Sequence, residues 1–357
     1  MASIECGIFE SLSGSPDGRD AVDYPALIRK VRHAEDAGYG YYFIIEHQST
    51  TYPGVTAPNV FLAAVAQATE RIRLGAMVYQ LPFHHPVRLA QDIATLDQIS
   101  RGRVEFGLGY GVAIGEFESW NVDFAQRREM GVEAMEIIRQ AWLGEPFSYA
   151  GRYWTFKNAI AQPRPYQQPH PRIWMGAHSH ASFDYAAEMN FDLAQNIDVE
   201  PIIAEKFAYF RRAWDGQGHT GPRPRTMIVR HVHVAATDAL ALEQAQPYMR
   251  EGLAGQRGVN LANSVRPDAS AERKETARIY LQSTRGYDFW VGEGLAFVGS
   301  PDTVTAAIRK QHELIGYDIL LTQHNITSMP DDMVTASRRL FGEAVIPALQ
   351  SPAATAR

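Results

Sequence analysis

Short apolar runs alternate along this chain with longer segments in which apolar residues recur every three or four positions. The run 41–45 shows no alternation with polar residues, so both of its faces are predicted to be buried, as in a parallel sheet covered by helices. The segment before it carries Leu27, Val31 and Ala34 at helical spacing and ends at Gly38. Strands that alternate with helices in this way predict right-handed crossovers and a parallel sheet.

The same strand-and-helix unit recurs along the rest of the chain. Counting the units gives about eight repeats, which favours a closed (β/α)8 TIM barrel over an open doubly wound sheet. We therefore predict one barrel domain over residues 1–357, with a hairpin-like insertion at 144–156. Strands are predicted at 4–9, 41–45, 71–79, 103–109, 172–177, 192–197, 227–236 and 318–325, and helices at 23–38, 59–69, 87–99, 130–141, 181–189, 201–214 and 331–349.

The segment 251–296 interrupts this rhythm. It is rich in Gly, Asn, Ser, Arg and Glu, and it is too long for a simple connection between two elements. We predict a lid or a binding loop inserted before the last strand; the alternative is a surface excursion with no role.

Composition restricts the classes of partner. The chain has 357 residues, of which 45% are hydrophobic, and its net charge of -6 argues against nucleic acid or an anionic membrane surface as a partner. Cys6 is the only cysteine, so an intrachain disulfide is impossible and a thiolate zinc site is not expected. Without a recognisable signal peptide or an apolar run of membrane-spanning length, we expect a cytoplasmic protein.

His47 is the first candidate for chemistry. In a barrel of this kind, functional groups lie where strands end and loops begin, and His47 follows the predicted strand 41–45 with only Glu46 between them. A neutral imidazole in that position can accept or donate a proton near pH 7. The alternative is that His47 only bonds a loop carbonyl.

The stretch "GAHSHAS" at 176–182 follows the fifth predicted strand and opens a helix. A helix N-terminus offers backbone N–H groups and a partial positive charge, and Ser179 and Ser182 can add hydroxyl donors. These features suit a phosphate group, although Ser179 could equally be an ordinary helix cap.

Two further motifs were considered as cofactor or metal sites. "FGLGYG" carries Gly107 and Gly109, but Val112 replaces the third glycine of a dinucleotide fingerprint, so a Rossmann interpretation fails; the glycines still suggest close approach of the backbone to a flat or bulky group. His231 and His233 would point to one face of the seventh strand, as in barrel metallohydrolases, but Asp, Glu and His partners are missing at comparable positions of other strands, apart from His47 and His324. No catalytic metal is predicted.

Taken together, these segments resemble the bacterial luciferase-like flavin-dependent monooxygenases over nearly the whole chain. The resemblance is carried by "IIEHQ", by "RIRLGAMVYQLPFHHPVRLAQDIATLDQISRGRVEFGLGYG", by "PRIWMGAHSHAS" and by "FVGSPDTV", in this order and spacing.

The resemblance implies a monooxygenase that uses reduced FMN from a separate flavin reductase, reacts with O2 through a C4a-hydroperoxyflavin and forms a homodimer. It also implies that His47 is the catalytic histidine, that the phosphate binds at the "AHSHAS" helix start, and that a non-proline cis peptide bond lies within 76–78 beneath the flavin ring. The implied cofactor contacts are Ala76, Met77, Gly109, Tyr110, Gly176, Ala177, His178, Ser179 and Ser182.

Three positions depart from the luciferase pattern. Tyr110 stands where luciferases have an arginine for the phosphate, Gly109 where they have a reactive cysteine, and Gln48 where they have a second histidine. A small, apolar organic substrate is therefore predicted in place of a long-chain aldehyde. Aromatic residues that could line its pocket, or belong to the core, are Phe117, Trp120, Tyr153, Trp154, Phe289 and Trp290.

Alternative functions remain open at this stage. A relative that uses the deazaflavin F420 for hydride transfer would share the barrel and a polar residue at the position of His47. A flavin-binding protein without catalysis is a further alternative, and a barrel metallohydrolase is the last.

Overall fold

The computed structural model describes residues 3–11, 22–48, 55–196, 198–249, 274, 285–326 and 328–351. Strands and helices alternate along these residues as the sequence predicts. The strands are β1 (Glu5–Glu10), β2 (Tyr41–Ile44), β3 (Arg73–Ala76), β4 (Tyr79–Gln80), β5 (Glu105–Gly109), β6 (Phe147–Ala150), β7 (Thr155–Ala159), β8 (Arg172–Gly176), β9 (Asp192–Gln195), β10 (Thr226–Val234), β11 (Ala296–Gly299) and β12 (Ile319–Gln323). The α-helices are α1 (Tyr24–Asp36), α2 (Pro58–Ala68), α3 (Pro86–Ser100), α4 (Ile114–Ser119), α5 (Arg127–Trp142), α6 (His180–Glu188), α7 (Glu200–Asp215), α8 (Asp238–Met249), α9 (Tyr287–Gly292), α10 (Pro301–Ile315), α11 (Asp331–Leu340) and α12 (Ile346–Gln350).

The chain divides into two compact units. The early unit comprises Gly14–Arg32 and Tyr42–Gly176, and the late unit comprises Met1–Ser13, His33–Tyr41 and Ala177–Arg357.

In the early unit, parallel strands bring their C-terminal ends into line. β5 pairs in parallel with β8, with Leu108 opposite Met175, and with β4, where Gly109 lies opposite Gln80. The predicted strand 71–79 is split, because β3 ends at Ala76 and a cis peptide bond joins Met77 to Val78. The predicted insertion is confirmed as the antiparallel hairpin β6–β7.

In the late unit, β10 is the central strand. It has nine residues, all buried, and it pairs in parallel with β9, β11 and β12, while β12 pairs in parallel with β1. Burial on both faces explains why this strand contains no exposed polar position.

Local signals place most helix ends correctly. The carboxylate of Asp23 accepts a hydrogen bond from the Ala26 N–H at 2.8 Å and so caps α1. The single helix predicted at 331–349 is interrupted by a π-helical turn at Phe341–Val345. None of the helices in the described part of the chain is both long enough and apolar enough to cross a membrane.

The prediction missed β11 and helices α4, α8, α9 and α10. β11 has only four residues and starts at the end of the segment 251–296, which composition had marked as an insertion. Of that segment, residues 250–273 and 275–284 lie outside the described residues, so the proposed lid stays a prediction. Its last part forms α9 and the first residue of β11.

Candidate active site

His47 lies just beyond β2 in the early unit and is paired with a carboxylate from α4. Its Nδ1 is 2.8 Å from Oε1 of Glu116, and the same oxygen accepts the backbone N–H of Gln48 at 3.3 Å. The Glu116 side chain is fully buried and that of His47 is 9% exposed. The partner of this ring nitrogen is therefore a carboxylate and not the loop carbonyl considered from the sequence.

Glu46 has a different role from its neighbour. Its buried carboxylate accepts hydrogen bonds from the Gln80 N–H at 2.8 Å, from Gln48 Nε2 at 3.2 Å and from His84 Nε2 at 2.9 Å. The side-chain amide of Gln80 donates in return to the Glu46 carbonyl at 3.2 Å. Glu46 thus ties the residues after β2 to the end of β4, which holds the backbone on both sides of His47.

The predicted ring contacts lie close together in the early unit. The cis bond between Met77 and Val78 falls where the family resemblance placed it, and Ala76 and Met77 are buried. A Cβ atom added to Gly109 would lie 2.4 Å from Val78 Cγ2, and one added to Gly176 would lie 2.8 Å from Val78 Cγ1. These two glycines are therefore required by packing against Val78.

This packing changes the interpretation of "FGLGYG". The sequence suggested that its glycines allow approach to a flat or bulky group, but a Cβ atom on Gly107 would lie 2.3 Å from the Ala76 carbonyl oxygen. The group that approaches Gly107 and Gly109 is thus the segment after β3. Whether Gly109 also contacts a cofactor stays a prediction.

Tyr110 packs its ring against α5. A Cβ atom on Gly131 would lie 2.2 Å from Tyr110 Cδ1, and the Arg128 guanidinium lies 5.9 Å from the ring centroid. Burial raises the pKa of Tyr110 to about 12, with Arg128 opposing the rise, so the phenol is neutral at pH 7. Its buried oxygen has no hydrogen-bond partner among the described residues, which suits contact with a polar ligand.

The predicted phosphate residues belong to the late unit, at the start of α6. Ser179 occupies the N-cap position, but its side chain makes no capping hydrogen bond within the described structure. Its Oγ lies 3.1 Å from Oγ of Ser182 instead, while the Ser182 and Phe183 N–H groups donate to the Ser179 carbonyl. The two hydroxyls are thus neighbours at the start of α6, and their contact with a phosphate stays a prediction.

Two neighbouring groups complete this region of the late unit. Ala177 is buried, its N–H donates to the Ala194 carbonyl at 3.4 Å, and its own carbonyl accepts a hydrogen bond from Gln195 Nε2. The buried Oε1 of Gln195 has no partner in the described part of the chain. His178 lies between Ala177 and Ser179 and is half-buried. The atom of Gln195 without a described partner is therefore an acceptor oxygen.

The histidines once considered as metal ligands are structural in this arrangement. His233 Nε2 lies 2.9 Å from Gln244 Oε1, and His231 contacts the Trp290 ring edge to face with centroids 5.2 Å apart. His324 Nδ1 lies 2.9 Å from Ser337 Oγ. Within the described residues, no group of three or more His, Cys, Asp or Glu side chains could hold a metal ion.

The aromatic candidates divide between core and surface. Phe117 is fully buried and packs against Phe83 and Phe124, with ring centroids 4.5 and 5.1 Å apart, whereas Trp120 is 45% exposed beside Phe83. Trp290 is buried in the late unit.

Glu116 is the partner of His47 that the sequence did not reveal. It is 69 positions from His47, in a short helix whose only sequence signal is a charge beside buried Phe117. An acidic residue at such a position could have suggested an inward-facing carboxylate, but its partner could not have been identified.

The strands and helices of a (β/α) barrel thus carry an imidazole–carboxylate pair just beyond one strand end, and comparison with known proteins identifies the family. Residues 4–318 match the model of the luciferase-like monooxygenases. The chain therefore belongs to this family and is an oxidoreductase.

Individual relatives agree with this assignment. The chain is 28% identical over 290 residues to limonene 1,2-monooxygenase of Rhodococcus erythropolis, covering 80% of this chain and 71% of that protein. It is 28% identical over 225 residues to the oxygenase component of the flavin-dependent trigonelline monooxygenase of Acinetobacter baylyi, covering 60% of each. The crystal structure of the monooxygenase RslO1 from Streptomyces bottropensis matches with a TM-score of 0.79 at 25% identity, covering 97% of this chain and 99% of that one. The predicted (β/α)8 barrel fold is confirmed.

Proposed function

We propose that this protein is the oxygenase component of a two-component flavin monooxygenase. It would take reduced FMN from a separate reductase and use O2 to oxygenate a small, apolar organic molecule in the cytoplasm. The observation that carries the proposal is the buried His47–Glu116 pair, which lies at a strand end in a chain of the luciferase-like monooxygenase family.

The names of the relatives support the two-component form. One of them is described as flavin-dependent and as an oxygenase component, which implies a partner that supplies reduced flavin. FMN is favoured over FAD because the sequence offers one phosphate-binding helix start and no second nucleotide-binding motif.

The residues of each unit fit parts of this cofactor. In the early unit, Ala76, Met77, Gly109 and Gly176 would face the ring, and the neutral phenol of Tyr110 would donate a hydrogen bond. In the late unit, the paired hydroxyls of Ser179 and Ser182 would receive the phosphate, with Ala177 and His178 beside it. Reduced FMN would supply two electrons to O2, so that one oxygen atom enters the substrate and the other leaves as water.

His47 would handle the proton that this reaction moves. Its Nδ1 is engaged by Glu116, so the exchange takes place at Nε2. Glu46 would keep the surrounding backbone in place, because its carboxylate binds the Gln80 N–H after β4.

The test is His47→Ala, assayed with reduced FMN and a panel of terpenes, ketones and aromatic compounds. Substrate oxygenation should fall by about 100-fold or more, the usual scale for losing a positioned acid or base. FMN binding and thermal stability should change little, and the oxygen consumed should appear as hydrogen peroxide. The control is His33→Ala, which removes an exposed imidazole on α1. A His47→Ala protein that still couples oxygen use to product would contradict the catalytic role.

The cofactor is tested separately by anaerobic titration. Reduced FMN should bind more tightly than FAD, a nicotinamide or F420. Tighter binding of F420 would replace the monooxygenase proposal with hydride transfer.

A further inference from the structure

Glu116 differs from the other buried carboxylates of the early unit because only one of its two oxygens has a hydrogen-bond partner among the described residues. The carboxylate of Glu46 accepts hydrogen bonds from three side-chain or backbone groups, and that of Glu133 accepts the N–H groups of Arg152, Tyr153 and Trp154. Glu116 uses only Oε1, and its buried Oε2 has no partner among the described residues. A buried carboxylate with so little compensation is costly to the fold, which points to a role other than structural support.

The contacts of Oε1 indicate which ring nitrogen of His47 carries the proton. The Gln48 N–H can only donate, so Oε1 already acts as an acceptor. If Oε1 is also the acceptor of the 2.8 Å contact, the His47 proton lies on Nδ1. In a neutral imidazole, the lone pair is then on Nε2.

The packing of α4 keeps Glu116 in place for this contact. Its neighbour Phe117 is fully buried against Phe83 and Phe124, so the helix has an apolar anchor that does not depend on the carboxylate. The position of Glu116 is thus set by α4, and the ring of His47 is oriented against it.

We infer that Glu116 is a positioning residue that holds His47 in the Nδ1–H tautomer and so makes Nε2 the proton acceptor of the reaction. The inference rests on the proposed function for its consequence in catalysis. The tautomer itself is a property of the protein without cofactor and can be measured there.

Two substitutions separate this role from a general need for charge. Glu116→Gln keeps an oxygen acceptor. The Gln48 N–H should hold that oxygen at the Oε1 position, because an NH2 group in the same place would bring two donors together. Glu116→Leu keeps the bulk but offers no acceptor. Glu118→Gln, at an exposed position of the same helix, is the matched control.

The first measurement is the tautomer of His47 by long-range 1H–15N NMR on protein labelled with 15N-histidine. The His47 signals are assigned by their loss in His47→Ala. We expect the Nδ1–H pattern in the wild type, in Glu116→Gln and in Glu118→Gln, and its loss in Glu116→Leu. An Nε2–H pattern in the wild type would overturn the inference, even if Glu116→Leu failed to fold.

The second measurement is oxygenation with reduced FMN supplied. Glu116→Gln should stay within about tenfold of the wild type, whereas Glu116→Leu should lose about 100-fold or more, as His47→Ala does. A Glu116→Gln protein that keeps the Nδ1–H pattern but loses as much activity as His47→Ala would show that the charge of Glu116 matters and not the tautomer, and would overturn the inference. If the NMR pattern is as expected but no variant or wild-type protein oxygenates any substrate with FMN, the proposed function fails while the assigned tautomer stands.

Discussion

The pH dependence of the unfolding free energy offers a quantitative test of the burial of His231 in the late unit. Burial and, to a smaller extent, the neighbouring Arg230 lower the pKa of His231 from 6.5 to about 3, although a hydrogen bond with the Gln323 backbone opposes the shift. The ring contacts Trp290, and the buried His233 and His324 lie in the same unit. His231 is therefore neutral in the folded protein near pH 5.

The sign of the effect follows from the lowered pKa. The unfolded chain binds a proton at His231 below about pH 6.5, whereas the folded protein does not until about pH 3. Stability from the neutral ring is thus fully present above pH 6.5 and is lost as the pH falls towards 3. One pH unit within this window corresponds to about 1.4 kcal/mol, so lowering the pH from 7.5 to 5 should remove about 2 kcal/mol of unfolding free energy through this residue alone.

His231→Phe isolates this contribution, because phenylalanine keeps a ring against Trp290 but cannot titrate. Urea unfolding at pH 5, 6 and 7.5, followed by tryptophan fluorescence, should show a loss in the wild type that exceeds the loss in the variant by about 2 kcal/mol. The other buried histidines affect both proteins equally and cancel in the difference. The control His33→Phe, at an exposed site, should show the same change of unfolding free energy with pH as the wild type. Equal pH dependence in the wild type and His231→Phe would refute the reasoning.

Three further predictions address the cofactor, the thiol and the assembly. The double substitution of Ser179 and Ser182 by alanine should weaken FMN by about 3 kcal/mol or more and riboflavin much less, because only FMN carries the phosphate; equal losses in titrations of both ligands would place the phosphate elsewhere. Burial, together with Glu5, raises the pKa of Cys6 to about 12, so a thiol reagent at pH 8 should label the protein only after urea unfolding, and rapid labelling of the native protein would contradict that burial. Light scattering at micromolar concentration should show a homodimer formed through the helices of the early repeats. Val60 on α2 is 75% exposed, so Val60→Glu should shift the protein towards monomer, whereas the control Leu240→Glu on α8 should not. A monomeric wild type would contradict the predicted dimer.

The order of elements was predictable from the sequence because its signals are local. A run such as 41–45 is recognisable from its own residues, and Gly38 ends the preceding helix through a φ of +91° that other residues rarely adopt. The position of His47 directly after a strand, and the family resemblance that located the cis bond between Met77 and Val78, were likewise available before any coordinates. β11 escaped prediction because it begins where the segment 251–296, which composition marked as an insertion, comes to its end.

What the tertiary structure alone decided is the set of partners around those residues. Glu116 reaches His47 across 69 positions of chain, and Glu46 reaches Gln80 and His84, because strand register and helix packing bring these side chains together. The same packing showed that Gly109 and Gly176 make room for Val78. Local periodicity specifies which residues form a strand, but it contains no information on which distant atom each side chain meets, so the carboxylate neighbour of His47 could be located only in the folded structure.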